Sequence, residues 1–138
     1  MTPKEELKSL IGMNQLVNSK LEYRQMLLDR ATKCTGVLSD MPKGSGQDDK
    51  MGDLVSMAAD VSHEVDEMVA CYIELERRVR ERMKGMGDLR YRTILELRYL
   101  NGLKWEEIAD RIGYELSWVY RLHGRALKKY EKLAIKNQ

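Results

Sequence analysis

Basic side chains recur at helical spacing near the end of the chain. Five of them lie within twelve positions: Arg121, Arg125, Lys128, Lys129 and Lys132. Lys and Arg neutralise phosphate groups, and Arg can also form a bidentate hydrogen bond with the edge of a guanine base. The chemistry that this pattern indicates is therefore the binding of a polyanion.

The distribution of charge supports the same interpretation. Residues 1–87 carry 13 Lys and Arg against 15 Asp and Glu, whereas residues 88–138 carry 11 against 7. The formal net charge of the whole chain, +2, conceals this asymmetry. A basic end on a nearly neutral chain favours a polyanionic partner for that end.

The residue types that would support catalysis or metal binding do not form recognisable motifs. Cys34 and Cys71 do not lie at zinc-site spacing from His63 or His123, and two cysteines do not make a disulfide framework. We find no nucleophile and base pair, carboxylate dyad or glycine-rich phosphate loop. We therefore expect a protein that is not an enzyme and that uses no cofactor and no metal.

The elements that must position the basic residues are predicted to be helices. Pro occurs only at positions 3 and 42, Phe is absent, and strong helix formers are abundant, which predicts an all-α fold. Thr2 and Pro3 begin a long amphipathic helix that is expected to reach about Lys33. A second helix repeats apolar residues at alternating intervals of three and four from Met51 to Val79, a period typical of a coiled coil.

The chain is predicted to consist of two modules. Residues 1–84 form a coiled-coil-like helical hairpin that serves oligomerisation, with a flexible loop at about residues 36–50 that is rich in Gly and Asp. Gly85 and Gly87 form a short hinge, and residues 88–138 form the second domain. The long helices pair either within one chain or between chains, and we expect a homo-oligomer, with a dimer favoured.

A second pattern, upstream of the basic residues, has the spacing of a helix-turn-helix. Ala109 is small where two helices approach closely, and Gly113 can adopt the left-handed conformation that ends the first helix. Val119 is expected to pack the second helix, which starts near residue 116, back on the first. The predicted core comprises Ile108, Ala109, Ile112, Gly113, Val119 and Leu122.

The second helix of this motif offers side chains suited to DNA. Ser117, Tyr120 and Arg121 lie near its start, where polar side chains can reach base edges in the major groove. The cations that follow at helical spacing are candidates for phosphate contacts: Arg125, Lys128, Lys129 and Lys132. The sequence therefore predicts that this end of the chain binds double-stranded DNA.

Several strings in this region resemble region 4 of sigma-70 type factors, the domain that reads the −35 promoter element. They are residues 97–109, Ile112-Gly113, Val119 and residues 125–129, and the resemblance covers about residues 88–133. The part of a sigma factor that reads the −10 element and melts the promoter has no counterpart in residues 1–87. The combination is similar to small phage and prophage regulators of the autolysin-regulator and late-operon-activator type.

The resemblance implies roles for individual positions. Its base-reading residues fall on Leu116, Ser117 and Arg121, and its phosphate contacts fall on Arg125, Lys128 and on Lys104 or Trp105. The chain departs from the family pattern at Lys104 and Glu115. These residues precede the two helices of the motif, at N-cap positions where Ser, Thr or Asp is a better cap. Leu116 and Ser117 also replace a pair that is often charged, so the operator need not be a −35 element.

We therefore predict a cytoplasmic, sequence-specific DNA-binding regulator of transcription, of phage or prophage type. The resemblance implies RNA polymerase as a further partner, and we expect no membrane association because no apolar run has the length of a span. Two alternatives remain open. One is a small-terminase-like protein that recognises DNA for packaging, and the other is an adaptor that binds polymerase or a sigma factor.

Overall fold

The part of the chain that the structure describes is mostly helical and contains no strand. The computed structural model describes the backbone of residues 1–38 and 45–136, and the side chains of residues 1–33 and 50–136. Five α-helices run in chain order: α1 Pro3–Leu38, α2 Ser45–Lys84, α3 Leu89–Leu95, α4 Trp105–Ile112 and α5 Leu116–Lys136. A π-helical segment, Glu96–Leu100, continues α3. The predicted all-α fold is confirmed.

Side-chain caps begin two of these helices. The Thr2 hydroxyl accepts from the Glu5 backbone N–H at 3.2 Å, and the Thr2 N–H donates to the Glu5 carboxylate at 2.9 Å. This reciprocal pair is a capping box, and Pro3 follows at the first helical position. Asp88 caps α3 in a similar way by accepting from the Arg90 N–H at 2.9 Å.

The long helices extend further than the sequence indicates. We expected α1 to end near Lys33, with a loop at about residues 36–50, but α1 continues to Leu38 and α2 begins at Ser45. That part of the loop prediction is wrong: residues 36–38 and 45–50 are helical, because Gly36 and Gly46 lower helix propensity without excluding helical hydrogen bonding. Residues 39–44, the remainder of the predicted loop, lie outside the described residues.

The contacts divide the chain into two compact units. Residues 14–71 form the middle unit, and residues 1–13 together with 72–138 form the terminal unit. In the middle unit, Leu27 of α1 is buried with Ala58, Val61 and Val65 of α2. Lys20 donates to Glu64 at 2.6 Å between the same helices. In this unit the two long helices therefore pair within one chain.

The terminal unit has a core built from both ends of the chain. Eleven buried residues form it, contributed by α1, α2, the α2–α3 linker, α3 with its π-helical continuation, and α5: Leu7, Leu10, Leu75, Val79, Met83, Met86, Leu95, Tyr99, Ala126, Leu127 and Tyr130. These compact units differ from the two modules that the sequence predicts, residues 1–84 and 88–138. Whether those two modules fold independently stays a prediction. Met86, between the two glycines of the expected hinge, is only 7% exposed, so the linker is anchored in this core.

A partly buried ion pair ties three of these elements together. Arg82 of α2 donates to the Glu6 carboxylate of α1 at 3.0 Å and to the Tyr130 hydroxyl of α5 at 3.1 Å. The side chains of Arg82 and Glu6 are 17% and 13% exposed. The C-terminal half of α5 is consequently held against the first turns of the chain.

Candidate nucleic-acid interface

Helices α4 and α5 pack through a small apolar core. Ile108, Ala109 and Val119 are buried together, and the half-buried Leu97, Leu103, Trp105, Ile112 and Leu116 surround them. Leu122, one turn after Val119, is fully buried on the same side of α5. This packing fixes the angle of α5 relative to α4 and leaves the other side of α5 exposed.

The turn between these helices depends on glycine. Gly113 has φ 75° and ψ 28°, and its N–H donates to the Ala109 carbonyl at 2.9 Å. The Tyr114 N–H donates to the same carbonyl at 3.2 Å. A Cβ at position 113 would meet no atom within 4 Å, so the requirement for Gly comes from the positive φ alone.

The start of α4 is poorly capped, as the departure at Lys104 suggests. Lys104 occupies the N-cap position in an extended conformation and makes no side-chain capping hydrogen bond. Glu106 and Glu107 in the first turn place negative charge near the free N–H groups. This charge interacts favourably with the helix dipole and stabilises the start of α4. The exposed ammonium of Lys104 is left available for another contact.

One exposed stripe of α5 carries half of the residues proposed to contact DNA. Positions separated by three, four, seven or eight residues share a helix face, and five exposed residues follow this spacing: Ser117, Arg121, Arg125, Lys128 and Lys132. The stripe lies opposite the buried face that contains Val119 and Ala126. We call these five residues the basic stripe.

The cations on this surface have no competing carboxylates. Within the described residues, none of Lys104, Arg121, Arg125, Lys128, Lys129 and Lys132 forms an ion pair with Asp or Glu. The Arg125 guanidinium carbon lies 5.3 Å from the centre of the Trp118 ring, which supports the side chain without neutralising it. The positive charge is therefore directed at solvent, where a phosphate can approach.

The structure places two proposed base-reading residues away from the stripe. Tyr120 is 47% exposed but lies to the side, with its ring edge-on to Trp105 at a centroid distance of 5.6 Å. Leu116 is half-buried against the helix-turn-helix core. Ser117 and Arg121 are therefore the residues among the four that combine exposure with a position on the stripe.

Trp105 joins the start of α4 to α5 and to the segment before it. Its ring is edge-on to the His123 imidazole at 4.4 Å, and the Arg98 guanidinium carbon lies 4.6 Å from its centre. Arg98 also donates to the Leu103 carbonyl at 3.0 Å. Trp105 is therefore a packing residue as well as a candidate for a phosphate contact through its indole N–H.

His123 lies between the helix-turn-helix and the main core of the terminal unit. It is half-buried, and its Nε2 lies 2.8 Å from the Tyr99 hydroxyl. Burial, together with the charges of Arg98 and Lys4, lowers the pKa of His123 to about 4. The imidazole is neutral at physiological pH, and sequence spacing offers no signal for a contact between residues so far apart.

Comparison with known proteins supports the assignment of this region. Residues 88–129 match the sequence model of a protein family described as Sigma-70, region 4. Searches of curated proteins and of solved structures give no match. The C-terminal part of the chain thus contains a DNA-binding helix-turn-helix of the sigma-70 region 4 type, built from α4 and α5.

Two further findings concern other kinds of site. Among the described residues, no group of three or more His, Cys, Asp or Glu side chains is arranged to hold a metal ion. No described helix combines the length and apolar character that crossing a bilayer requires.

Proposed function

We propose that this protein is a sequence-specific regulator of transcription that inserts the first turns of α5 into the major groove of double-stranded DNA. The observation that carries the proposal is the basic stripe, which is exposed and unpaired on the outer face of a helix whose inner face is locked to α4. Ser117 and Arg121 face the base edges, and Arg125 and Lys128 hold the phosphate backbone. Lys104 and Trp105 meet the backbone from the start of α4.

The regulatory mechanism that we propose is recruitment or exclusion of RNA polymerase, with promoter melting left to another protein. Support comes from the combination of a region 4-like end with an N-terminal part that consists of two long helices. This architecture is similar to that of small phage and prophage regulators, and we place the protein in that functional class. No catalytic step forms part of the proposal, and the site of action is the cytoplasm.

We also propose that the middle unit mediates self-association. In the resulting dimer, the helix-turn-helix of each subunit contacts one half-site of the DNA. Several apolar side chains of this unit lie outside its own core, among them Leu16 at 49% and Met26 at 50% exposure. Residues 51–71 of α2 carry five acidic and no Lys or Arg side chains, whereas residues 14–33 of α1 carry four basic and two acidic ones. A second copy would place the basic helix of one chain against the acidic helix of the other.

The function is tested by selecting bound sequences from a random DNA pool with the full chain and then measuring affinity against salt concentration. Five cations at the interface (Lys104, Arg125, Lys128, Lys129 and Lys132) predict a slope of log affinity against log salt of about −4.5 per chain. A selected consensus that binds at least about a thousandfold more tightly than random DNA supports the proposal. Absence of a consensus, or a slope near zero, contradicts it and favours the polymerase-binding adaptor.

Self-association is tested by sedimentation of the full chain and of the double variant Leu16→Glu, Met26→Glu. We expect a dimer that becomes monomeric in the variant, while Glu22→Gln, Asp29→Asn on the same helix serves as a control. A dimer that persists in the first variant contradicts the proposed surface. A closed ring of many subunits favours the small-terminase-like alternative.

A further inference from the structure

A cavity of about 490 Å³ lies in the terminal unit, beside the linker between α2 and α3. Met86 of the linker, Tyr91 of α3 and Leu133 of α5 provide apolar lining. Met86 is buried, and Tyr91 and Leu133 are half-buried, so these side chains form a preorganised floor. The volume falls in the range of pockets that hold small organic molecules.

Cationic side chains surround this floor. Lys129, Lys132 and Lys136 line the cavity from successive turns of α5, and none forms an ion pair within the described residues. Asp88 is the one carboxylate among the lining residues, and Arg90 already engages it through three hydrogen bonds. Three neighbouring ammonium groups repel one another, and a bound anion relieves that repulsion.

We propose that this cavity binds a small organic anion, a carboxylate or sulfonate with an apolar body of roughly ten to twenty heavy atoms. The apolar body lies on Met86, Tyr91 and Leu133, while the acid group lies among the three lysine side chains. A cavity that combines an apolar floor with a cationic rim suits such a molecule better than the uniformly polar phosphate backbone of DNA.

The anion competes with DNA at two of these residues. Lys129 and Lys132 are also proposed phosphate contacts, so one ammonium group cannot serve both partners at full strength. Occupation of the cavity therefore lowers DNA affinity, and DNA lowers the affinity for the anion by the same factor. This second part rests on the proposed function, whereas binding of the anion to the cavity does not.

Binding is tested on the full chain by calorimetric titration with decanoate, below its micelle concentration, and with 8-anilinonaphthalene-1-sulfonate. Methyl spectra of protein labelled at Met report whether the Met86 resonance shifts. We expect both probes to bind, decanol and inorganic phosphate to bind at least about tenfold more weakly, and the Met86 methyl to move on titration. The variant Lys132→Gln, Lys136→Gln should weaken decanoate binding about tenfold.

A matched control removes two charges elsewhere in the same unit. Lys4→Gln, Lys8→Gln alters two exposed lysines of α1 that do not line the cavity, and it should leave decanoate affinity unchanged. Equal weakening in both double variants, or an unmoved Met86 methyl, overturns the site. If decanoate binds as expected but leaves the affinity of a selected DNA unchanged, the competition is overturned. If no assay detects specific DNA binding but decanoate binds to the cavity, the proposed function is overturned and the proposed anion site is supported.

Discussion

The Tyr99 hydroxyl lies 2.8 Å from His123 Nε2, which joins the segment before the helix-turn-helix to the middle of α5. Tyr99 is 6% exposed and belongs to the core of the terminal unit, whereas His123 contacts Trp105 at the start of α4. The pair therefore connects the unit's main core with the proposed DNA-binding surface. Protonation of His123 would charge a half-buried group at this junction.

Stability should decrease at low pH in a way that depends on His123. Its pKa is about 4 in the folded protein and about 6.5 when exposed, so the unfolded chain binds the extra proton between these values. The stabilising contribution is fully present above about pH 6.5 and is lost as the pH falls towards 4. Urea unfolding followed by circular dichroism at pH 7 and pH 4.5 measures this loss.

The variant His123→Phe provides the comparison for that measurement. It keeps an aromatic ring beside Trp105 but removes the titrating group, so its stability should fall less between pH 7 and pH 4.5 than that of the parent. At pH 7 it should be less stable by about 1 kcal/mol, because the Tyr99 hydroxyl loses its partner. Identical pH dependence in the two proteins contradicts the assignment.

Two substitutions on the basic stripe should separate base recognition from phosphate binding. Arg121→Ala should reduce discrimination against a mismatched base by about 1–3 kcal/mol, because it removes the proposed contact of the guanidinium with a base edge. Lys128→Ala should weaken binding to all sequences alike and reduce the magnitude of the salt slope by about 0.9. Fluorescence anisotropy with a selected site and single-base variants distinguishes these effects, and unchanged selectivity and affinity in both variants would reject the interface.

Glycine at the turn should be required for conformation and not for space. Gly113→Ala should lower the free energy of unfolding by about 1–2 kcal/mol, because φ at this position is 75°. Gly124 lies within α5, where an added Cβ would meet no atom within 4 Å, and Gly124→Ala should stabilise by about 0.5–1 kcal/mol. Thermal or urea unfolding gives both values, and a destabilising Gly124→Ala with a neutral Gly113→Ala would contradict this explanation.

The ion pair between Arg82 and Glu6 should matter more than an exposed pair of similar geometry. Arg82→Ala leaves the partly buried Glu6 carboxylate and the Tyr130 hydroxyl without a donor, and we expect a loss of about 2 kcal/mol. Arg77, whose contact with Glu74 at 2.7 Å is exposed, is the matched control, and Arg77→Ala should change stability little. If the two substitutions lower the free energy of unfolding in urea equally, burial does not determine how much each ion pair contributes to stability.

The isolated segment 88–138 should be poorly folded. Its residues Leu95, Tyr99 and Tyr130 pack against apolar side chains of α1 and α2, which the fragment lacks. Circular dichroism during heating should show a broad transition at lower temperature than in the full chain, while fragment 72–138 should retain more cooperativity. A sharp transition of 88–138 at the temperature of the full chain would instead support the division into residues 1–84 and 88–138.

The sequence alone determined the local features of this protein. The triplet Ala109, Gly113 and Val119 predicts the helix-turn-helix because its constraints are local: a close approach, a left-handed turn and an inward-facing apolar side chain. The match of residues 88–129 to sigma-70 region 4 supports that part of the interpretation. Helical periodicity likewise predicts the basic stripe, since it depends only on spacing along one helix.

Tertiary structure decided which distant residues meet. Nothing in the spacing of Leu7, Val79 and Tyr130 indicates that they share a core, because that contact depends on how three helices pack. The burial of His123, the contact of Tyr120 with Trp105 and the cavity beside Lys129 have the same origin. Periodicity specifies the face on which a side chain lies, but only packing specifies the neighbour that covers it.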